Sequence, residues 1–484
     1  MKYLLIGIDG CQKELFYRFE MPFMQGLIEK SECLTLEEDL LSRGWTEICT
    51  GQHARENNAY YERPVMSGNH DWTYKYSLID EVGKNNQVST LWDDLNKKGY
   101  SVGIMNVPTT PRAPKVNGFF VAGGGGGQTV EQGISEIQCY PNNIASSLNN
   151  EGYILDERVP SLIQEKKLIN DEDFFKALKE MTKKRVDCYI LLNKKYNVDF
   201  GFLAFRSFAV IEYIAAAEIS RYLNNDDNVN KKIISVIKDY YIFFDAEVKR
   251  LCESLGAHRI ALVSDHGMVP HKYGVDLNLL LQELGLQYKN KTGSKMISLM
   301  RWCKNISPQW IKNKAKKIDV VKNQYRSLTS FDKSKSKAFS LFLGSSFLGV
   351  YINDQERFGG QIGKTEIEKY CAEIVKKINE SEVAVQHGLK AVVTNKTGKY
   401  GFYMPDVNVI VPDGYAPFFN RNQVVEEVLI SKKPVYLKDV KQDIWTGTKS
   451  KEPLSILINH KNNYRDYNGN NLTVIYKIVM EELG

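Results

Sequence analysis

The sequence predicts an α/β protein of three layers, in which helices cover both faces of a mostly parallel central sheet. Four short apolar segments end in polar residues and are typical of buried strands: Tyr3–Asp9, Ser101–Asn106, Phe200–Phe205 and Arg259–Asp265. Helical patterns lie between them at Thr90–Lys98, Asp171–Leu192 and Lys231–Leu255. Strands that alternate with helices form parallel sheets, so we expect ligands to bind at the carboxyl ends of these strands.

The first part of the chain contains three further features. The first strand ends at Asp9 and is followed by a glycine, a pair that is also common in turns. Ser42–Gly51 is typical of a short helix with a hydroxyl at its amino terminus, where the helix dipole favours an anion. Gly123–Gly127 lacks the Lys-Ser/Thr of a phosphate-binding loop, so we interpret this glycine run as a flexible connection.

The second part of the chain begins with a lysine-rich segment of weak periodicity at Lys289–Lys337. We interpret this segment as a solvent-facing insertion and a candidate substrate lid. Strand character resumes at Gly349–Asn353, and Glu366–Asn379 has the pattern of an amphipathic helix. The predicted division is a first core part at 1–285, an inserted cap at 286–385 and a carboxyl-terminal core part at 386–484.

Composition excludes several classes of protein. The chain has 484 residues, with 64 Lys and Arg against 58 Asp and Glu, and a net charge of +6 spread over this length is too weak for a nucleic-acid-binding protein. The only apolar run at the start is about five residues long, so we expect no membrane span. The eight cysteines are scattered without a Cys-x-x-Cys pair, which fits a reducing compartment. We expect a cytoplasmic protein and allow for a homodimer.

Asp9, Asp265 and His266 carry the ligand types that bind a divalent metal. Asp265 and His266 are adjacent at the end of a predicted strand, so both side chains can turn into one site and offer oxygen and nitrogen to an ion. Each residue alone has a simpler explanation as a turn or helix-cap residue. The prediction of a metal site depends on their combination.

Taken in order, the strand ending in Asp9-Gly10, the Ser42–Gly51 segment and Ser264-Asp265-His266-Gly267 resemble the alkaline phosphatase superfamily. The resemblance is strongest to the bacterial branch of type I phosphodiesterases and nucleotide pyrophosphatases. That branch opens with strand-Asp-Gly, continues with a nucleophile helix ending in Thr-Gly, and later carries Ser-Asp-His-Gly. Further matches follow in the same order and cover nearly the whole chain: Leu91–Leu95 with Gly99, Gly103–Pro108, Asn117–Phe119, Tyr140-Pro141, Lys337–Phe339, Gly349–Asn353 and Pro405-Asp406.

The resemblance implies an alkaline-phosphatase-like fold and one metal site built from Asp9, Asp265, His266 and the nucleophile hydroxyl. It implies one divalent cation, for which we expect Zn²⁺, with Mn²⁺, Mg²⁺ and Ca²⁺ as alternatives. The family places its nucleophile four residues before the tryptophan, a position that is a leucine in this chain. Ser42, one residue later, is the preferred nucleophile, and Thr46, one helical turn further on, is the alternative.

The second metal site of the family has lost its ligands in this chain. The family's Asp-x-x-x-His after the third core strand falls on Phe208 and Glu212, and a shift of one residue gives Ala209 and Tyr213. The late Gly-Thr-His of the family reads Gly-Thr-Lys and ends at Lys449. A charged ammonium cannot bind a metal, but it can place a positive charge where the second ion would lie. This arrangement resembles that of sulfatases of the same superfamily, which work with one metal ion and have lysines near it.

Several other residues are candidates for the site. Glu212 is expected to pair with Lys449 or to act as a general acid or base. Arg43 and Arg206 are candidates for binding an anionic substrate through two hydrogen bonds each. Candidates for a further ligand or proton donor are His271, His53 and His70.

The predicted function is hydrolysis or transfer of a phosphate monoester or diester, or of a sulfate ester, through a covalent Ser or Thr intermediate. The predicted partner is a small anionic substrate, whose pocket walls we expect from the Lys289–Lys337 and Tyr140–Glu157 segments. The alternative is a catalytically inactive relative that keeps the fold and binds an anionic ligand.

Overall fold

The computed structural model describes residues 1–68, 74–75, 78–86, 88–124, 133–155, 171–289, 331–344, 346–419, 421–428 and 446–484. The chain divides into two compact units. The first unit consists of Met1–Ala59, Ser77–Lys272 and Val428–Gly484, and the second of Tyr60–Tyr76 and Tyr273–Glu427. The predicted cap at 286–385 falls within the sequence range of the second unit, which extends further at both ends. The division at 285 and 385 stays a prediction.

The strands, numbered in chain order, are β1 (Tyr3–Ile8), β2 (Ser31–Cys33), β3 (Arg63–Pro64), β4 (Tyr74–Lys75), β5 (Val102–Met105), β6 (Gly118–Val121), β7 (Cys139–Tyr140), β8 (Phe200–Phe205), β9 (Arg259–Val263), β10 (Gly267–Pro270), β11 (Tyr273–Val275), β12 (Ala338–Ser340), β13 (Gly349–Ile352), β14 (Lys390–Val393), β15 (Val407–Ile410), β16 (Tyr415–Pro417), β17 (Val425–Glu427), β18 (Gly447–Ser450) and β19 (Ser455–Ile458). The α-helices are α1 (Glu14–Arg18), α2 (Pro22–Ile28), α3 (Gly44–Thr50), α4 (Ala54–Asn57), α5 (Ile79–Asn86), α6 (Leu91–Lys97), α7 (Ile144–Asn150), α8 (Asp171–Tyr196), α9 (Ser207–Leu223), α10 (Lys231–Leu255), α11 (Leu277–Glu283), α12 (Gln355–Phe358), α13 (Ile367–Asn379), α14 (Glu382–His387) and α15 (Thr473–Leu483).

The central sheet of the first unit has eight strands in the order β2-β19-β9-β1-β8-β5-β6-β7. The five strands from β9 to β6 are mutually parallel, while β2, β19 and β7 pair antiparallel at the edges. The four predicted strands are β1, β5, β8 and β9, and they are adjacent in the sheet. The predicted fold class is therefore confirmed.

Alternate residues of β1 enter two different hydrophobic cores. Leu4, Ile6 and Ile8 pack with residues of α7, α8, α9 and α10, whereas Tyr3 and Leu5 pack with residues of α3, α6 and α15. Because successive side chains of a strand point to opposite faces, these two cores lie on the two sides of the sheet. The first unit therefore has the three-layer α/β/α arrangement.

Gly7 allows α3 to pack closely on the central strand. A Cβ atom at Gly7 would lie 2.7 Å from an atom of the Trp45 ring, which is too close for any side chain other than hydrogen. Trp45 is 3% exposed and belongs to the core on this face. The glycine in β1 and the tryptophan in α3 thus fix the start of α3 near the carboxyl end of β1.

The second unit contains the four-stranded antiparallel sheet β12-β13-β15-β14 and the three-stranded sheet β16-β11-β17. Residues of α11 and α13 share a hydrophobic core with the four-stranded sheet. The predicted strand at Gly349–Asn353 and the predicted helix at Glu366–Asn379 correspond to β13 and α13. In the part of the chain that the structure describes, no helix has the length and apolar character needed to cross a membrane.

Candidate metal centre and active site

Asp9 is held in place by its own backbone. It follows β1 directly, where its N–H donates to the Phe205 carbonyl at 2.8 Å and its carbonyl accepts from the Ala209 N–H at 2.8 Å. Phe205 ends β8 and Ala209 lies in the first turn of α9, so the neighbouring strand and its helix both fix this position. The residue is 7% exposed. Asp9 therefore lies where the sequence predicts a ligand, at the carboxyl edge of the sheet.

Asp265 and His266 follow β9, the other parallel neighbour of β1. The His266 Nε2 atom lies 3.5 Å from Asp9 Oδ1 and 3.4 Å from Asp265 Oδ2. One ligand atom from each of these three residues lies within 4.8 Å of the others, and all three residues are buried. The structure therefore brings Asp9, Asp265 and His266 together.

The chemistry of this donor set fits a divalent cation. The Nδ1 atom of His266 lies 2.9 Å from the Gly267 carbonyl, which can only accept, so Nδ1 carries a proton and Nε2 presents its lone pair to the two carboxylates. Burial and the Lys449 ammonium lower the pKa of His266 to about 3, so its imidazole is neutral at physiological pH. Burial and the Asp265 carboxylate raise the pKa of Asp9 to about 6, as expected for two carboxylates held close together.

Gly44 brings the first residue of α3 against Asp265. A Cβ atom at this position would lie 2.6 Å from the Asp265 carbonyl oxygen and 2.9 Å from the Asp265 Cβ. The preceding residue, Arg43, is 3% exposed, and its N–H donates to the Ala59 carbonyl at 3.0 Å. The start of α3 therefore lies beside Asp265, with Arg43 held at the helix end.

Lys449 lies in β18, which pairs antiparallel with β10 so that Lys449 is opposite Met268. Burial lowers the pKa of Lys449 to about 8, although the Asp265 and Asp9 carboxylates act in the opposite direction. The Arg43 and Arg206 guanidinium groups lower it further, so both lie near this ammonium. Because β10 directly follows His266, the β10–β18 pair carries Lys449 to the carboxylates.

Arg206 is also an electrostatic neighbour of Asp9. Its Nε atom lies 3.6 Å from Asp9 Oδ2, and its side chain is 22% exposed. Together with Lys449 and Arg43, it places three cationic side chains around two carboxylates and a neutral histidine. This excess of positive charge favours an anionic ligand.

Hydrogen bonds to Ala54 and Asp39 orient Ser42. Its hydroxyl oxygen accepts a hydrogen bond from the Ala54 N–H at 2.9 Å, and its own N–H donates to Asp39 Oδ1 at 3.0 Å. The hydroxyl also lowers the pKa of Glu47, so it lies near that carboxyl group. The N-cap residue of α3 is Arg43, so the helix begins two residues later than the predicted segment. Its amino-terminal residue is not the serine.

Thr46 lies inside α3 and is fully buried. Its hydroxyl oxygen has no hydrogen-bond partner among the described residues. Leu41, at the position where the family carries its nucleophile, is 1% exposed. The choice between Ser42 and Thr46 as nucleophile stays a prediction.

A buried acidic cluster beside Ser42 was missed by sequence reasoning. Glu38 and Glu47 are 2% and 0% exposed, and burial raises the pKa of both carboxyl groups. Asp39 Oδ2 lies 2.8 Å from His53 Nε2, and Glu47 Oε1 lies 3.8 Å from the same nitrogen. The available signal was the presence of three acids and a histidine within sixteen residues around Ser42.

Two of the three positions that correspond to the family's second metal site, Phe208 and Glu212, lie in the core. Phe208 stacks on Tyr241 with ring centroids 4.4 Å apart. Glu212 is 2% exposed, burial raises its pKa, and it acts electrostatically on Cys11 and Tyr241. The carboxyl group of Glu212 is therefore in apolar surroundings. The charged groups that act on Lys449 are instead Asp265, Asp9, Arg43 and Arg206.

The other histidine candidates lie in different places. His53 contacts Asp39, as described above, and caps α4 by accepting from the Arg55 N–H. His271 follows β10 and is 8% exposed, and its N–H donates to the Thr446 carbonyl at 2.8 Å. His70 lies outside the described residues, as do Gly125–Gly127 of the glycine run and residues 290–330 of the lysine-rich segment.

The family model of type I phosphodiesterases and nucleotide pyrophosphatases matches residues 3–428. The chain belongs to this family. No protein with a curated description matches the sequence. Membership identifies the chain as a phosphoester hydrolase of the alkaline phosphatase superfamily, in agreement with the order of motifs in its sequence.

Solved structures of phosphonoacetate hydrolase share the fold of this family member. Phosphonoacetate hydrolase from Sinorhizobium meliloti 1021, in complexes with phosphonoformate and with phosphonoacetate, is similar at TM-scores of 0.56 and 0.53. The sequence identities are 10% and 11%, and each alignment covers 100% of this chain and 96% of the hydrolase. Human ectonucleotide pyrophosphatase/phosphodiesterase 5 aligns at a TM-score of 0.48 and 10% identity, over 100% of this chain and 95% of its own.

Proposed function

We propose that this family member is a one-metal phosphoester hydrolase or transferase, in which Asp9, Asp265 and His266 hold the cation. The observation that carries the proposal is the convergence of these three ligand atoms within 4.8 Å, with a neutral imidazole between two carboxylates. Two oxygens and one nitrogen suit Zn²⁺ and leave a coordination position open, as catalytic zinc sites require. When bound, the cation supplies Lewis-acid stabilisation of the developing charge.

Lys449, Arg43 and Arg206 take the place of a second ion in this proposal. Two-metal relatives stabilise both the attacking and the leaving oxygen, and losing one ion removes part of that stabilisation. The Lys449 ammonium, close to both carboxylates, supplies a fixed positive charge to a nonbridging oxygen or to the leaving group. Arg43 and Arg206 bind the remaining oxygens of the anionic group.

The reaction proceeds through a covalent intermediate on Ser42, with Thr46 as the alternative. The hydroxyl loses its proton as its oxygen attacks phosphorus, the ester bond to the leaving alcohol breaks, and the leaving oxygen takes up a proton. The oxygen of water or of an acceptor alcohol then attacks the same phosphorus and loses its proton, the bond from phosphorus to the side-chain oxygen breaks, and the side-chain oxygen takes up a proton. Phosphate diesters, phosphate monoesters and sulfate esters share the anionic group that this site accepts. The cytoplasmic location and the homodimer stay predictions.

Metal analysis combined with turnover tests the proposal. Purified protein should contain about one divalent ion per chain and should hydrolyse p-nitrophenyl phosphate, bis-p-nitrophenyl phosphate or p-nitrophenyl sulfate. Asp265→Ala should lose both the ion and the activity, because only two of the three proposed protein ligands remain. Absence of metal and of turnover, also with added zinc or manganese, would instead indicate an inactive protein that binds anions.

Lys449→Ala tests the surrogate charge. We expect a rate about 100-fold lower with metal content unchanged, because roughly 3 kcal/mol of charge stabilisation in the transition state is lost. Lys451→Ala is the matched control, since this lysine lies two residues further along the same segment and has no assigned role. Equal rates for the two variants would reject the role of Lys449.

A further inference from the structure

The loop that leads into α3 holds a strained backbone at Leu40. Its φ is 60°, in the left-handed region, although leucine carries a Cβ atom and the residue is 3% exposed. Only glycine adopts this region without cost, with asparagine and aspartate next. Strained residues of this kind persist where their surroundings over-determine them, and they concentrate at functional sites. Leu40 lies two residues before Ser42, so the contacts that hold it bear on the proposed active site.

Asp39 supplies the contacts that hold this turn. Its Oδ1 atom accepts hydrogen bonds from the Leu41 N–H at 2.9 Å and from the Ser42 N–H at 3.0 Å. Its Oδ2 atom lies 2.8 Å from His53 Nε2. One carboxylate therefore binds the two residues that follow the strained leucine and connects them to a residue outside the loop.

His53 has a defined orientation because both ring nitrogens are used. Its Nδ1 atom accepts from the Arg55 N–H at 3.1 Å and caps α4. Nε2 therefore carries the proton that is donated to Asp39. The Ser42 hydroxyl accepts from the Ala54 N–H, also in the first turn of α4. The strained loop is thus attached to the amino terminus of α4 at two points.

We propose that Asp39 and His53 are positioning residues, which hold the strained Leu40 turn and through it orient Ser42 and Arg43. This inference rests on the proposed function, in which Ser42 is the nucleophile and Arg43 binds the anionic group. Neither positioning residue has to touch the substrate. Their effect is to fix the backbone from which the reacting side chains extend, and small displacements of such groups are costly to the rate.

Two substitutions of His53 separate this role from the capping of α4. His53→Asn retains an oxygen near the position of Nδ1 and keeps the cap, but it has no group that reaches Asp39. His53→Gln retains an amide nitrogen near the position of Nε2 and keeps the contact with Asp39. We expect kcat to fall about 10- to 100-fold in His53→Asn at unchanged metal content. His53→Gln should retain most of the wild-type kcat.

Hydrogen exchange of the peptide that spans residues 39–43 gives a second readout that needs no turnover. The amide hydrogens of Leu41 and Ser42 are bound to Asp39, so they should exchange faster in His53→Asn and at the wild-type rate in His53→Gln. Asp39→Asn breaks the same contact from the other side and should match His53→Asn in kcat. Ser381→Ala, which removes the cap of α14, controls for the loss of a helix cap elsewhere and should leave kcat unchanged.

The outcomes separate the two proposals. Absence of turnover in the wild-type protein counts against the proposed function. Equal kcat values in the Asn and Gln variants of His53, or wild-type exchange rates in His53→Asn, would overturn the positioning role. Loss of kcat and faster exchange in His53→Asn but not in His53→Gln, with metal retained, would establish it.

Discussion

Asp39→Asn should lower the free energy of unfolding by an amount that depends on pH. Burial acts to raise the pKa of Asp39, but the His53 imidazole and the N–H groups of Ser42 and Leu41 outweigh it and hold the pKa at about 2. Against the ordinary value of 3.8, this difference corresponds to about 2 kcal/mol. The side chain is 30% exposed, so solvent screening makes this value an upper bound.

The direction of the pH dependence follows from the two partners. Because the folded-state pKa of Asp39 lies below its unfolded value, its contribution is present above pH 3.8 and is lost as the pH falls through 2. Burial acts to lower the pKa of His53, but Asp39 outweighs it and raises that pKa above 6.5. The histidine contribution is therefore present below pH 6.5 and is lost as the pH rises through the folded value.

Urea unfolding of wild-type protein and Asp39→Asn at pH 5.5 and at pH 3 measures this contribution. We expect a difference of at most about 2 kcal/mol at pH 5.5 and roughly half of that at pH 3. Asp227→Asn is the control, because Asp227 is exposed. A difference that is equal at both pH values, or absent at pH 5.5, would refute the reasoning.

Three further substitutions test the site and its surroundings. Gly44→Ala should lower metal affinity at least tenfold in a metal titration, because its Cβ would lie 2.6 Å from the Asp265 carbonyl, while Gly26→Ala, with open space around it, should not. Phe208→Ala should destabilise the protein by about 3–5 kcal/mol in denaturant unfolding if this position is structural, and a loss below about 1 kcal/mol would contradict that. Burial raises the pKa of Glu47 from 4.5 to about 7 in the folded protein. Ionisation of this carboxyl group therefore lowers the free energy of unfolding as the pH rises from 4.5 through 7. Glu47→Gln should therefore unfold at higher urea concentration than wild-type protein at pH 8 but not at pH 4, and a pH-independent difference would contradict this.

The sheet and the convergence of the three candidate metal ligands could be predicted from the sequence because their signals are local. The strands β1, β5, β8 and β9 are short apolar runs that end in polar residues, as is typical of parallel strands buried on both faces. Asp9 and the Asp265-His266 pair occupy the carboxyl ends of neighbouring parallel strands. Chain order and strand ends alone were therefore sufficient to predict that these three side chains lie together.

The orientation of the nucleophile candidates could not be predicted in this way. The start of α3 at Gly44 is set by the close contact of that glycine with Asp265 and of Trp45 with Gly7, and neither contact is visible in the local pattern. A helix turns by about 100° per residue, so an uncertainty of one residue changes the face on which a side chain lies. The hydroxyl of Ser42 consequently meets Ala54 and lies near Glu47.

The sequence by itself determined the family, the layered fold and which three side chains are the candidate metal ligands, since these depend on periodicity and on the order of motifs. Only the tertiary structure decided which charged side chains lie close to one another. Lys449 reaches the carboxylates through the pairing of two strands that are 180 residues apart in the chain, whereas Glu212, equally polar in the sequence, is buried beside Tyr241. Charges interact through space and burial, and residue type alone specifies neither distance nor burial.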